Sequence, residues 1–112
     1  MAKPTIVCVD DEITVLQSLR EELEFGLGEN FSFEIAESAE EALDIIRELI
    51  GSGTDIPVII SDQLMPGMKG DQFLIEAHRI SPETRKILLT GQASADAVGR
   101  ALNYAKLYRY IS

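Results

Sequence analysis

A doubly wound, five-stranded parallel sheet with helices on both faces is the fold this sequence predicts. Three observations lead there. Short apolar or β-branched runs alternate strictly with segments of helical period, in the order β-α-β-α-β-α-β-α-β. The helical segments run to roughly three turns, the length of a connection between parallel strands. The central run Pro57-Val58-Ile59-Ile60-Ser61 carries no polar alternation, as expected of a strand covered on both faces.

The elements follow in order. Thr5-Ile6-Val7-Cys8-Val9 is a β-branched run that ends at Asp10-Asp11-Glu12. From there Ile13, Leu16, Leu19, Leu23 and Leu27 recur at three or four residues, one face of a helix that Gly26 and Gly28 should end. Phe31, Phe33 and Ile35 alternate with Ser32, Glu34 and Ala36, a half-buried strand. Ser38 stands three residues before Glu41, a capping-box spacing. Behind it Ala39, Ala42, Leu43, Ile46 and Ile50 form an inward face, closed by Gly51-Ser52-Gly53.

After the third strand, Gly70 to Ser81 reads as a helix with Phe73, Leu74, Ala77 and Ile80 inward, stopped by Pro82. Lys86-Ile87-Leu88-Leu89-Thr90 is a fourth strand, residues 93–105 a fourth helix rich in alanine, and Leu107-Tyr108-Arg109-Tyr110-Ile111 a fifth strand. No helix follows Ser112 to cover the last strand. The expectation is one domain over 1–112, the N-terminal part of a longer protein, or a chain that covers that face by swapping or dimerising.

Composition narrows the function classes. The 112 residues suffice for one domain that buries about 65% of its unfolded surface. The single cysteine excludes an intramolecular disulfide, and one Cys with one His speaks against zinc. Cys8, inside an apolar run, is expected to pack as a small hydrophobe. The apolar run before Asp10 is too short for a signal sequence or a membrane span, so a cytoplasmic location is the default. Net charge is −9, unevenly placed: residues 1–50 hold 13 acids against 3 bases, residues 51–112 hold 6 against 7. That balance argues against direct nucleic-acid binding.

The chemistry gathers at strand ends. In a parallel sheet, ligands sit beyond the carboxyl ends of the strands, and neighbouring strands lie about 5 Å apart. The first strand delivers Asp10 and Asp11 there, the third Asp62, and the fourth Thr90 followed by Gly91. Taken singly, each has an ordinary reading: Asp10-Asp11-Glu12 as a helix cap, Asp62 as a turn residue, Thr90 as a strand residue. Converging, three carboxylates must take up a proton or a cation. An all-oxygen donor set suits magnesium, which binds few carboxylates and keeps several waters. A carboxylate is also a competent nucleophile toward phosphorus. Gly70 is expected to allow the next helix to approach closely, with Met65 and Pro66 shaping the turn.

Those residues resemble the receiver domain of two-component response regulators. The acidic pair ends the first strand as Val9-Asp10-Asp11-Glu12, the phosphoacceptor loop reads Asp62-x-x-Met65-Pro66-x-x-x-Gly70, and the fourth strand ends Leu88-Leu89-Thr90-Gly91. The resemblance spans the whole chain and implies the flavodoxin-like strand order 2-1-3-4-5. It further implies Asp62 as phosphoacceptor, Asp11 and Asp62 as direct Mg2+ ligands, Asp10 as a ligand through water, and the backbone carbonyl of Leu64 as a further ligand. Thr90 would be the switch hydroxyl and Tyr110 the switch aromatic of a surface built from the fourth helix and fifth strand. Upstream it implies a sensor histidine kinase or phosphotransfer protein, and downstream an output domain or partner outside this chain. A homodimer is compatible with it.

The sequence departs from the family in two places. The family carries a lysine directly after the fifth strand, and this sequence ends at Ser112, one residue before that position. Poor phosphorylation or switching of the fragment is the expected consequence. Leu64 is apolar where polar side chains are common, which should slow water attack on a phosphorylated Asp62. Two other functions share the fold. One is a receiver-like binding or dimerisation module that is never phosphorylated. The other is a magnesium-dependent phosphatase with an aspartyl nucleophile, a class that usually has a second acid two residues on, where this chain has Leu64. The expectation is therefore a phosphoacceptor switch rather than an enzyme acting on an external substrate.

Overall fold

The computed structural model describes residues 3–89, 99, 104–105 and 109–111, the last three as backbone. Five parallel strands form one sheet in the order β2-β1-β3-β4-β5. They are β1 (Thr5–Val9), β2 (Ser32–Ala36), β3 (Val58–Asp62), β4 (Arg85–Leu89) and β5 (Arg109–Ile111). Helices α1 (Ile13–Leu27), α2 (Ala39–Gly51) and α3 (Gly70–Ile80) connect the first four. The helix expected over 93–105 falls, apart from Gly99, Tyr104 and Ala105, outside the described residues.

The two faces of the sheet are covered unequally. Val7 and Val9 of β1, Ile59 of β3 and Leu88 of β4 pack with Ala39, Ala42, Leu43 and Ile46 of α2 and Phe73, Leu74 and Ala77 of α3, all buried. On the opposite face Ile6, Cys8 and Phe33 meet Leu16 of α1. Val58 and Ile60 of β3, half-buried, pack against this second cluster. The central strand thus has apolar neighbours on both faces, as expected: Ile59 in the larger cluster, Val58 and Ile60 against the smaller.

Helix faces are also shorter than their periodicity suggests. Only Leu16 of α1 is fully buried, with Leu19 and Leu23 half-buried, while Ile13 and Leu27 are 38% and 41% exposed. Ile50, expected inward on α2, is likewise exposed. A 15-residue helix is about 22 Å long and a five-residue strand about 17 Å, so one strand cannot cover the helix along its whole length. α1 also runs through Gly26 and ends at Gly28, whose N–H reaches the Glu24 carbonyl. At α2 the Ser38 hydroxyl accepts from the Glu41 N–H at 3.2 Å, but the Glu41 carboxylate turns to the Glu37 N–H, so the capping box is only half made. Cys8 is fully buried and burial pushes its thiol up to about 11, the behaviour of a packing residue.

Candidate functional site at the carboxyl edge of the sheet

Strand register assembles the site. Val9 of β1 lies opposite Ser61 of β3, so the residues that follow, Asp10 and Asp62, leave the sheet side by side. Asp10 is held from both sides: its N–H donates to the Ala36 carbonyl at 3.1 Å, and its Oδ1 accepts from the Glu12 N–H at 3.0 Å. That second bond turns the chain into α1 and leaves Asp11 pointing to solvent. The N-cap position of α1 is Glu12, and its side chain makes no cap bond. The aspartate pair is therefore not a conventional helix cap, which removes the ordinary reading of these residues.

Asp62 is the last residue of β3. The buried Ser61 hydroxyl donates to the Asp62 carbonyl at 2.8 Å and fixes the strand end from below. Gly70 seals it from the side. A Cβ at position 70 would stand 2.2 Å from the Asp62 carbonyl oxygen and 2.9 Å from the Gln63 Cα. The expected close approach of α3 is thus a direct contact with the end of β3. Between these two points the chain turns through Pro66 and Gly67, with Gly67 at φ 79°, a conformation that glycine adopts without strain. Met65 tucks into the core under the loop.

Carboxylate oxygens of Asp10, Asp11 and Asp62 all lie within 4.8 Å of one another. Asp10 is buried, Asp62 half-buried and Asp11 exposed, so the cluster has a protein wall and a solvent side. Burial raises the pKa of Asp10 first of all, and the nearby charges of Asp62 and Asp11 add to it, against the lowering effect of the Glu12 amide. Burial likewise raises Asp62, with Asp11 and Glu12 adding repulsion and the Gln63 amide opposing it. Three hard oxygen donors that repel one another, with an open side, fit a divalent cation of the magnesium type.

The remaining expected residues divide. Leu64 follows the cluster directly, and its side chain is 42% exposed. Thr90 follows Leu89, whose partner across the sheet is Asp62, but Thr90 itself falls outside the described residues. Tyr110 pairs through its backbone with Leu88 on β5, and its side chain is outside the described residues. His78, expected at the surface, is half-buried on α3. Two features were not foreseen: a buried pair between Gln63 and Asp71, and the full burial of Lys86. Both involve polar residues whose spacing matches no common motif.

Comparison with known proteins bears on this site. Residues 6–112 match the family model of the response regulator receiver domain. The hydrogenase transcriptional regulatory protein HoxA of Cupriavidus necator is 32% identical over 107 residues, 96% of this chain and 20% of that protein. This chain therefore spans about a fifth of that curated relative. Among solved structures, a CheY-like response regulator receiver domain from Methanospirillum hungatei superposes with a TM-score of 0.83 at 33% identity, covering 98% of this chain and 81% of that one. An adenylate cyclase structure from Rhodopirellula baltica gives a TM-score of 0.80 at 31% identity, covering 98% and 76%.

Proposed function

This chain belongs to the response regulator receiver domain family, and from that membership we propose that it is a phosphoacceptor switch whose reactive group is Asp62. The observation that carries the reading is the convergence of Asp10, Asp11 and Asp62 at one edge of a rigid sheet. In the proposed reaction an Asp62 carboxylate oxygen attacks phosphorus of a phosphorylated donor, such as a phosphohistidine on a sensor kinase or phosphotransfer protein. The bond from phosphorus to the donor breaks, the donor leaves with its electron pair, and Asp62 becomes an acyl phosphate. Water attack on phosphorus later returns the free carboxylate.

Asp10, Asp11 and Asp62, with the Leu64 carbonyl, would hold Mg2+, which when bound offsets the negative charge of the carboxylates and of the incoming phosphoryl oxygens. The chain's own part is positional. Ser61 and Gly70 fix the strand end that carries Asp62, so the nucleophile meets phosphorus without first being ordered. Desolvation of Asp10 and Asp62 makes the site a poor place for three free charges and a good one for a cation. Thr90 and Tyr110 are the proposed relay to the surface of the fourth helix and β5.

Partner and output readings rest on the relatives. One is a transcriptional regulator and another an adenylate cyclase, so the same architecture accompanies different outputs. We assign this chain the role of input module of a phosphorelay, with the output borne elsewhere in the protein or by a partner. No described helix is long and apolar enough to cross a membrane.

The test is intact mass after incubation with Mg2+ and a small acyl phosphate. Wild type should gain one phosphoryl group. Asp62→Asn, and wild type with the metal chelated, should gain none. A gain that persists in Asp62→Asn would overturn the assignment of the nucleophile. No gain in wild type, repeated in a longer chain that carries the family's lysine and fifth helix, would favour a binding module of the same fold that is never phosphorylated.

A further inference from the structure

The loop after Asp62 is tied at its base by a buried polar pair that the sheet topology does not require. Gln63 is 3% exposed and Asp71 fully buried. The Gln63 carboxamide is used at both ends. Its Oε1 accepts from the Asp71 backbone N–H at 2.8 Å, and its Nε2 donates to Asp71 Oδ1, also at 2.8 Å. A third bond, from the Gly70 N–H to the Gln63 carbonyl at 3.1 Å, closes the same ring.

This arrangement replaces an ordinary helix cap. The N-cap residue of α3 is Lys69, whose side chain has no acceptor to offer the first-turn N–H groups. Gln63 reaches across from the strand end and supplies the acceptor instead. Apolar packing would hold the two segments at a distance, whereas two antiparallel hydrogen bonds also fix orientation. The residue so fixed stands between Asp62, which gives a carboxylate to the cluster, and Leu64, whose carbonyl is the proposed further ligand. Locking residue 63 to the first turn of α3 constrains the peptide planes on either side of it.

We propose that Gln63 and Asp71 are positioning residues for the acidic site: their reciprocal hydrogen bonds hold the Asp62 carboxylate and the Leu64 carbonyl in the arrangement that binds a divalent cation. The proposal rests on the reading of Asp62 as a magnesium-dependent phosphoacceptor. It predicts that the clamp acts on cation affinity, not only on folding.

The experiment is calorimetric titration of Mg2+ into the protein well below its melting temperature, with melting curves recorded beside it. Gln63→Leu removes both side-chain bonds and should weaken Mg2+ binding about tenfold or more, as losses of groups supporting metal ligands do. Should Gln63→Leu not fold, Gln63→Asn, one methylene too short to reach Asp71, is measured in its place with the same expectation. Unchanged Mg2+ affinity in a folded Gln63 variant, whatever its melting temperature, would overturn the clamp. If wild type itself neither binds Mg2+ nor takes up a phosphoryl group, it is the reading of Asp62 that fails.

Discussion

The two edges of the sheet solve opposite problems. At the carboxyl edge, three carboxylates meet, and burial and the repulsion between them make the charges of Asp10 and Asp62 costly. At the amino edge the polar groups are satisfied locally. The Thr5 N–H donates to the Asp55 carbonyl, the Arg85 N–H to the Pro57 carbonyl, and the Thr84 hydroxyl to the Ile56 carbonyl at 2.7 Å. Lys86, fully buried on β4, turns its ammonium to the Ser81 and Thr84 carbonyls where α3 hands over to the strand. The contrast teaches that one edge carries stored repulsion for a ligand to relieve, while the other is finished without one.

The largest effect that would break this contrast comes from Gly70. Gly70→Ala forces a Cβ against the Asp62 carbonyl oxygen, which is backbone and cannot swing aside. It should cost about 1–3 kcal/mol, the range for overpacking a close contact, and should also depress phosphoryl uptake. Chemical denaturation and intact mass read the two consequences, and an unperturbed variant would mean that α3 can retreat without disturbing the site.

Lys86 tests the amino edge. Burial lowers its pKa from 10.5 to about 8, so the charged form is disfavoured in the folded state. Below about 8 the lysine is charged in both states and its burial cost is present in full. Between about 8 and 10.5 the folded protein gives up the proton first, so stability should rise with pH across that window. The buried Cys8 thiol works the other way at the upper end, its pKa raised from 9.0 to about 11. Denaturation curves of wild type and Lys86→Met at both ends of the window separate the two, because only the lysine contribution should vanish in the variant.

The smallest expected effect sharpens the carboxyl edge. Asp10 and Asp62 have folded pKa values above the ordinary 3.8. Their stabilising contribution is therefore complete below that value and is lost as pH rises through the folded values. With the metal chelated, Asp62→Asn should melt higher than wild type at about pH 7.5, and the gap should shrink on acidification. Equal melting temperatures at both pH values would show that solvent already screens the cluster.

Legibility in the sequence followed the kind of signal. β1 was readable to the residue because a β-branched run stops at a charge, and the acidic trio because strand ends of a parallel sheet must coincide. Depth was not readable. Periodicity says which side of α1 faces inward, but whether Ile13 and Leu27 are covered depends on how far the helix overruns the strands. The Gln63–Asp71 pair was invisible for another reason: it joins two polar residues eight positions apart through a loop, with no period to betray it. Lys86 sat in a strand pattern that gives no clue that its ammonium would turn to carbonyls rather than to water.

One consequence of the strand order remains. β2 is an outer strand, and its unpaired backbone groups could template the addition of another chain. Glu34 stands exposed at its middle, the strand has five residues, and both neighbouring helices pack against it bearing much of the chain's negative charge. A second molecule approaching this edge of the sheet would bring like charges together where strands could join. The acidic half of the sequence thus acts as a guard against fibre-like self-association, and that guard weakens as salt screens it.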